Sequence, residues 1–288
     1  MVPNFFEKGG GAEMGFLIGI AAVVILWLFL IFPSARSARI RLSFSEYIAH
    51  RGLHDLSAGV PENSTKAFLC AIEKGFAIEL DVSVTADGRV VVFHDRTLKR
   101  VCGDDRRVED LSYHEISGLY LFDTGCKIPT LKEVLALVNG RVPLLIELKS
   151  QVKTNRRLCE AVSRELLHYR GEYCVQSFYP PALYWFRRHR PEVLRGQLAS
   201  DFIKTSHRGA LSALSGWLLF NFLSRPDFIS YDQKFWRSLP LSVTKLLGAK
   251  CFGWTFESKN VWKEKQRNGQ KRRKIRGFDF CIFEHFLP

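Results

Sequence analysis

The chain has 288 residues, 47% hydrophobic and 13% aromatic, which is too apolar for a disordered chain and enough to close the core of one large domain or two small ones. Its 42 basic against 29 acidic residues leave a net charge of +13, which suits nucleic acid, an anionic membrane surface or phosphate-bearing substrates without choosing among them. Seven cysteines, Cys70, Cys102, Cys126, Cys159, Cys174, Cys251 and Cys281, are odd in number and form no C-x-x-C pair, so they point to neither a disulfide framework nor a zinc knuckle and read as ordinary thiols in a reducing compartment.

After a tail of residues 1–14, Gly15 to Phe32 reads GFLIGIAAVVILWLFLIF without a charge, long enough as a helix to cross roughly 27 Å of hydrocarbon. A cleaved signal peptide is the rival reading, but the apolar run exceeds a usual h-region and the A-R-S-A that follows is a poor cleavage site. The expectation is a single transmembrane anchor over residues 15–33, a linker over 34–46 and one domain over 47–288. Arg36, Arg39 and Arg41 follow the span, whereas Lys8 is offset by Glu7 and Glu13 before it, which predicts a cytoplasmic domain.

Along the domain, short β-rich runs alternate with helix-like stretches. The runs are YIAHRG, AIELDV, RVVVFHD, PLLIELK, YCVQSF, VLRGQL, FISYD, CFGWTF and FCIFE, and several are continuous in apolar residues, as strands buried on both faces should be. Thr65 to Lys74 follows Glu62-Asn63-Ser64 with N-cap chemistry, and Thr130 to Val138 carries a Thr cap with Glu133 three residues on. This pattern predicts an α/β fold, a parallel (β/α)8 barrel of the TIM type. Nine runs compete for eight places, and either VLRGQL or FISYD is expected to stand outside the barrel. The TADG turn between AIELDV and RVVVFHD leaves no room for a crossover helix, a departure from a regular barrel.

In such a barrel the carboxyl ends of the strands share one face, so His50, Arg51, Glu79, Asp81, His94, Glu147 and Lys149 converge there. Glu79 and Asp81 are two residues apart and point to one side of their strand, as do Glu147 and Lys149. Three adjacent carboxylates repel and raise one another's pKa unless a cation sits among them, and Mg²⁺ or Ca²⁺ suits an all-oxygen set better than zinc. Arg51 and Lys149 offer donors for a phosphate, and the two histidines remain free for proton transfer. The set describes metal-assisted displacement at phosphorus, one histidine activating the nucleophile and the other protonating the leaving alkoxide. Taken singly, E-x-D or His-Asp is ordinary surface chemistry; the force lies in four successive runs that all end in ionisable residues of compatible roles.

The residues IAHRG, PENS at Pro61 to Ser64, the ELDV-x-x-T-x-DG-x-x-V-x-x-HD run from Glu79 to Asp95, TLKRVCG, IPTLKEVL and LLIELK together resemble the glycerophosphodiester phosphodiesterase family. The likeness extends from about Tyr47 through SFYPPALYWFRRHRPEVLRGQL, PDFISYD and GWTF to the closing IFEHFLP. The resemblance implies a TIM-barrel hydrolase that cleaves glycerophosphodiesters to sn-glycerol 3-phosphate and an alcohol. It further implies His50 and His94 as acid and base in either order, Glu79, Asp81 and Glu147 as metal carboxylates, and Arg51 and Lys149 as phosphate contacts. The chain end departs from the family pattern, reading FCIFEHFLP where many relatives carry something like GIITD-x-P, so the polar group at the last strand's tip differs.

Several features carry weaker readings. Trp254 on GWTF is expected near the barrel top, facing the glycerol or alcohol moiety, with a core aromatic as the alternative. The pocket mouth is expected from Leu119 to Cys126 and the loop before Pro129, and His54 and Asp55 lie close to the HRG loop. Lys263 to Arg276 reads as a solvated basic face first, a contact for anionic lipid second and a nucleic-acid site a distant third. Leu211 to Leu223 reads as a barrel-packing helix, with a membrane-dipping flap as the alternative. The rival functions are a lysophospholipase D or polyglycerophosphate hydrolase, and a catalytically silent barrel that binds phospholipid head groups.

Overall fold

Each of the nine apolar runs forms a strand in the computed structural model, which describes residues 10–37, 46–202, 210–258, 262–267, 270–275 and 277–288. The strands are β1 (Tyr47–Ala49), β2 (Ala77–Val84), β3 (Val90–Val92), β4 (Leu144–Leu148), β5 (Tyr173–Ser177), β6 (Arg195–Ala199), β7 (Phe228–Asp232), β8 (Lys250–Phe256), the hairpin β9 (Trp262–Arg267) and β10 (Gln270–Ile275), and β11 (Phe280–Phe283). Helices α1 (Gly10–Ile31), α2 (Thr65–Glu73), α3 (Lys99–Cys102), α4 (Tyr113–Ile116), α5 (Leu131–Val138), α6 (Asn155–Leu166), α7 (Pro180–His189), α8 (Ala210–Gly216), α9 (Asn221–Ser224) and α10 (Leu239–Leu246) lie between and before them. The main sheet has nine strands, and without β3 the other eight close into a parallel barrel, because β1 pairs with both β2 and β11.

The expectation that VLRGQL or FISYD stands outside the barrel is corrected. Both are barrel strands, paired in parallel from Gly196↔Phe228 to Ala199↔Tyr231. The extra strand is β3, antiparallel to β2 with Val82↔Val92 and Val84↔Val90 in register, because the TADG turn can only reverse the chain. Strand β2 overshoots the barrel and β3 brings the chain back, until the Phe93 N–H donates to the Asp81 carbonyl at 2.9 Å.

The helix signals read as expected. The Ser64 hydroxyl accepts from the Ala67 N–H at 3.1 Å, and Thr130 and Glu133 form a reciprocal capping box that starts α5. The basic run from Lys263 to Arg276 falls mainly on the β9–β10 hairpin; Arg276 and the run's side chains before Ile275 lie outside the described residues, as do Glu7, Lys8, Arg39 and Arg41. All seven cysteines are free thiols.

Period-two alternation organises the barrel interior. Ile48, Ala77, Leu145, Cys174, Phe228, Phe252 and Ile282 pack together as an apolar floor with almost no solvent exposure. Two residues further along each strand stand His50, Glu79, Glu147, Gln176, Ser230, Trp254 and Glu284, a polar layer resting on that floor. A second small core, with Phe93, Leu98, Val101, Leu111, Ile116 and Leu121, holds the segment between β3 and β4.

Helix α1 ends against the barrel wall. Ile31 is fully buried, Asn221 Nδ2 donates to its carbonyl at 2.9 Å, and the Arg225 guanidinium donates to the carbonyls of Phe29 and Phe32, each at 2.9 Å. Just beyond, Arg36 grips Asp227 through two contacts of 2.7 Å, while Asp227 Oδ2 also accepts from the Arg195 N–H at 3.1 Å. Asp227 and Arg195 are both buried, so truncating the acid strands a cation in the wall. Asp227→Ala should lower the unfolding free energy by roughly 3–5 kcal/mol in denaturant titration; a loss below 1 kcal/mol would remove this anchor point from the fold's stability.

Candidate active site

The site is built from three turns and two strand ends. After β1 the chain turns sharply, with positive φ at Arg51 (54°) and Gly52 (80°). A Cβ on Gly52 would come within 2.9 Å of Ala67 and Phe68, so only glycine lets the turn seat directly on α2. That turn aims the Arg51 N–H at Glu79 Oε2, 3.0 Å away, and its guanidinium at Glu62 Oε1 (2.7 Å) and Asp81 Oδ2 (3.4 Å). Asn63, from the PENS stretch, donates Nδ2 to Asp81 Oδ2 at 2.8 Å and accepts the Asp81 N–H at 3.3 Å.

Glu79, Asp81 and Glu147 meet inside the barrel mouth, with one ligand oxygen of each lying within 4.8 Å of the others, and all three are buried. Lys149 Nζ compensates them, 2.5 Å from Glu147 Oε1 and 3.0 Å from Asp81 Oδ1. Burial pushes the Glu79 carboxyl well above the usual range, and the charges of Asp81 and Glu147 push the same way. Burial acts upward on Asp81 as well, but Lys149, His94 and Arg51 outweigh it and hold that group far below the ordinary range. Lys149 is buried too, yet the two carboxylates keep its ammonium charged to higher pH than a free lysine. These buried oxygens form the donor set of a hard divalent cation; no sulfur or imidazole nitrogen belongs to the group, and Asp81 Oδ1 finds no hydrogen-bond donor beyond the nearby ammonium.

The two histidines flank this cluster in matching fashion. His50 Nδ1 lies 2.6 Å from Glu284 Oε2, and His94 Nδ1 lies 2.5 Å from Asp95 Oδ1. With each Nδ1 held by a carboxylate, Nε2 is the nitrogen each ring offers for proton transfer. Burial lowers the pKa of both; the hydrogen bond His50 donates to Glu284 opposes it at His50, and the charge of Asp81 opposes it at His94. Glu284 in turn stays ionised well below the ordinary range, because the hydrogen bond from His50 and the neighbouring His54, 3.7 Å away, outweigh its burial. Asp95 is gripped by Arg100 at 2.6 Å, which also reaches Glu62 at 2.7 Å.

Beside His94, Glu147 and Lys149 lies a cavity of about 220 Å³, walled further by Ser150, Gln151 and Phe178. Residues 119–126 do not line it. Leu121 and Cys126 close the second small core instead, and Phe122 lies under the Arg100 guanidinium at 5.6 Å. Trp254 stands at the top of β8 with its ring edge-on to Phe178, centroids 5.5 Å apart, and its buried Nε1 has no partner.

The model of the glycerophosphoryl diester phosphodiesterase family matches residues 50–273, which takes in His50, both carboxylate strands, His94 and Lys149. The chain belongs to that family. A glycerophosphodiester phosphodiesterase of Caldanaerobacter subterraneus is 35% identical over 227 residues, covering 74% of this chain and 86% of its own. A human lysophospholipase D is 34% identical over 167 residues, 52% of this chain and 50% of its own length. Among solved structures, an Oleispira antarctica phosphodiesterase in complex with the product sn-glycerol-3-phosphate shares the fold with a TM-score of 0.64 at 23% identity, covering 84% of this chain and 93% of that one.

All eight residues singled out by sequence therefore lie at the carboxyl end of the barrel, seven around the carboxylate cluster and Trp254 on the aromatic wall beside it. Sequence reasoning missed Glu284, Glu62, Asn63, Asp95 and Arg100 as parts of the site. The signal for Glu284 was present, since it follows β11 as His50 follows β1.

Removing the Glu284 charge removes the main interaction that holds a proton on His50. In Glu284→Gln the His50 imidazole, followed by NMR, should titrate at lower pH than in the wild type. Whichever limb of the pH–rate profile His50 sets moves to lower pH: the acid limb if it serves as base, the alkaline limb if as acid. An unchanged imidazole titration would detach Glu284 from the site.

Proposed function

We propose that the chain is a metal-dependent phosphoric diester hydrolase that cleaves glycerophosphodiesters to sn-glycerol 3-phosphate and an alcohol. The observation that carries this reading is the placement of two histidines, each held at Nδ1 by a carboxylate, around a buried cluster of three carboxylates compensated by Lys149. Two imidazoles held at Nδ1 leave both Nε2 atoms for a base and an acid.

Glu79, Asp81 and Glu147 are the residues that would hold a divalent ion, Mg²⁺ or Ca²⁺, which when bound supplies charge stabilisation at the phosphoryl oxygens. The protein's own groups do the rest. Arg51 and Lys149 bind and orient the phosphate oxygens from the side of the cluster. One of His50 and His94 takes the proton from the attacking group through Nε2, and the other returns a proton to the departing alcohol oxygen. Trp254 and Phe178 give the mouth an apolar wall against the organic part of the substrate.

Within this reading the chain divides into a tail (1–14), a membrane anchor (15–33), a linker (34–46) and the hydrolase barrel (47–288). The anchor assignment is supported by the stretch Glu13–Ile31, 19 residues of mean hydropathy 2.8 and only 6% buried. Positive charges after the span support a barrel on the cytoplasmic side. The basic hairpin β9–β10 then suits anionic lipid heads rather than nucleic acid.

The test is release of glycerol 3-phosphate from glycerophosphocholine and glycerophosphoethanolamine by the detergent-purified full chain, with chelator, Mg²⁺ or Ca²⁺. Release should need the metal, and Glu79→Ala should reduce it by at least about a hundredfold. His94→Ala should lose turnover by about 10²–10⁴-fold while still binding glycerol 3-phosphate. Undiminished release under chelation would overturn the metal-dependent reading. No release from the wild-type chain in any condition would overturn the hydrolase reading.

A further inference from the structure

We propose that α8 and α9 form a second membrane contact that, together with α1, holds the carboxyl end of the barrel against the bilayer. The proposal rests on the membrane reading of α1. It starts from four large apolar side chains that the segment leaves exposed, Leu211 (71%), Leu214 (38%), Trp217 (41%) and Phe222 (40%). The same segment packs inward through buried Leu218 and through the Tyr231 hydroxyl, which donates to the Gly216 carbonyl at 3.0 Å, so its exposed face belongs to an ordered wall. Monomeric proteins seldom present such a patch to water without a partner.

The contacts of α1 say what that partner is. The last turns of the apolar helix run alongside this segment in the same order: Trp27 meets Trp217 edge-on with centroids 6.4 Å apart, Ile31 meets Asn221, Ser34 meets Pro226 and Arg36 meets Asp227. The two ends of the segment lie at opposite ends of the barrel. Gly216 abuts Ser200 and Phe202, just past the carboxyl end of β6, while Ser224 and Asp227 contact Arg195, which begins β6. Helix α1 therefore descends the wall from the carboxyl toward the amino ends of the strands. Read backwards from Trp27, its body to Glu13 extends about 21 Å past the level of Trp217, on the catalytic side.

That body alone is too short for roughly 30 Å of hydrocarbon. A spanning α1 must use the turn that carries Trp27, which draws Trp217 and its neighbours into the interface, where tryptophan is favoured. The bilayer then faces the barrel mouth. From Gly216 an aromatic track leads inward through Phe202 to Phe178 (6.1 Å between ring centroids) and Trp254, and Phe178 lines the cavity that holds His94 and Lys149. A diester that carries one acyl chain can reach the site along this track without leaving the membrane. Its hydrolysis adds one water: the water oxygen forms the new P–O bond, and the head-group alcohol leaves with a proton.

The full chain in phosphatidylcholine vesicles tests this without requiring turnover. Fluorescence quenching by lipids brominated near the head group, taken as the difference between wild type and Trp217→Phe, should show Trp217 quenched. Incorporation with no quenching of Trp217 would overturn the contact, and cross-linking of two chains through α8 in that case would assign the face to a second copy. Failure of the chain to enter vesicles would overturn the membrane reading of α1 itself. In the same vesicles, Leu211→Glu combined with Leu214→Glu should cut hydrolysis of lysophosphatidylcholine at least tenfold while leaving soluble glycerophosphocholine within twofold; equal losses on both would overturn the docking role. A wild-type chain that cleaves neither substrate refutes the hydrolase reading and leaves the quenching result to decide the contact.

Discussion

Three carboxylates within 4.8 Å of one another inside a barrel are the condition to which the rest of the site answers. At an effective dielectric of about 20, each such pair repels by roughly 3.5 kcal/mol when both are ionised, so the cluster cannot carry three uncompensated charges. The chain's own answer is asymmetric. Lys149 and Arg51 lean toward Asp81, which stays ionised, while Glu79 takes the burden of burial and holds a proton more tightly. Glu79, Asp81 and Glu147 are the residues that would hold a divalent ion, whose charge would complete the compensation.

Placing these charges requires a floor. The seven apolar side chains one pleat below fill the barrel's interior, and the alternation of a strand then forces the next inward residue to the mouth. Around that layer an ion-pair chain runs from His94 to Asp95, Arg100, Glu62, Arg51 and back to Asp81. It ties together the turn after β1, the PENS stretch before α2 and the helix after β3, none of which is held by barrel hydrogen bonds alone. Positioning of His94 and of Arg51 is thus one electrostatic problem rather than two.

The legible part of the site is the part governed by local rules. Glu79 with Asp81 and Glu147 with Lys149 are two apart on strands whose apolar character is plain in sequence, so their common direction follows from the pleat. The cap chemistry of Ser64 and Thr130 is equally local. What failed was the choice of the extra strand: VLRGQL or FISYD was expected outside the barrel, although RVVVFHD alone follows a turn too short for a parallel connection. Glu284 pairs with His50 only through the parallel register of β1 and β11, two strands at opposite ends of the domain's sequence, so no local spacing links them. The roles of Glu62, Asn63 and Arg100 are tertiary, set by which turns the barrel brings together, and no spacing encodes them.

The overshoot of β2 has a consequence for chemistry. A parallel strand could have delivered His94 to the mouth only at the cost of a ninth place in a barrel closed by eight. Reversal through TADG instead lowers the chain onto the barrel rim, where Phe93 pairs with Asp81 and seals the second small core while His94, one residue on, turns back toward the cluster. One histidine is therefore fixed to the barrel wall through Glu284 and the other to the segment between β3 and β4 through Asp95. The two imidazoles thus belong to different parts of the molecule, and the Arg100 to Glu62 and Arg51 to Glu62 contacts tie those parts together. The relative placement of the two rings therefore rests on ion pairs that touch only one of them, through Asp95.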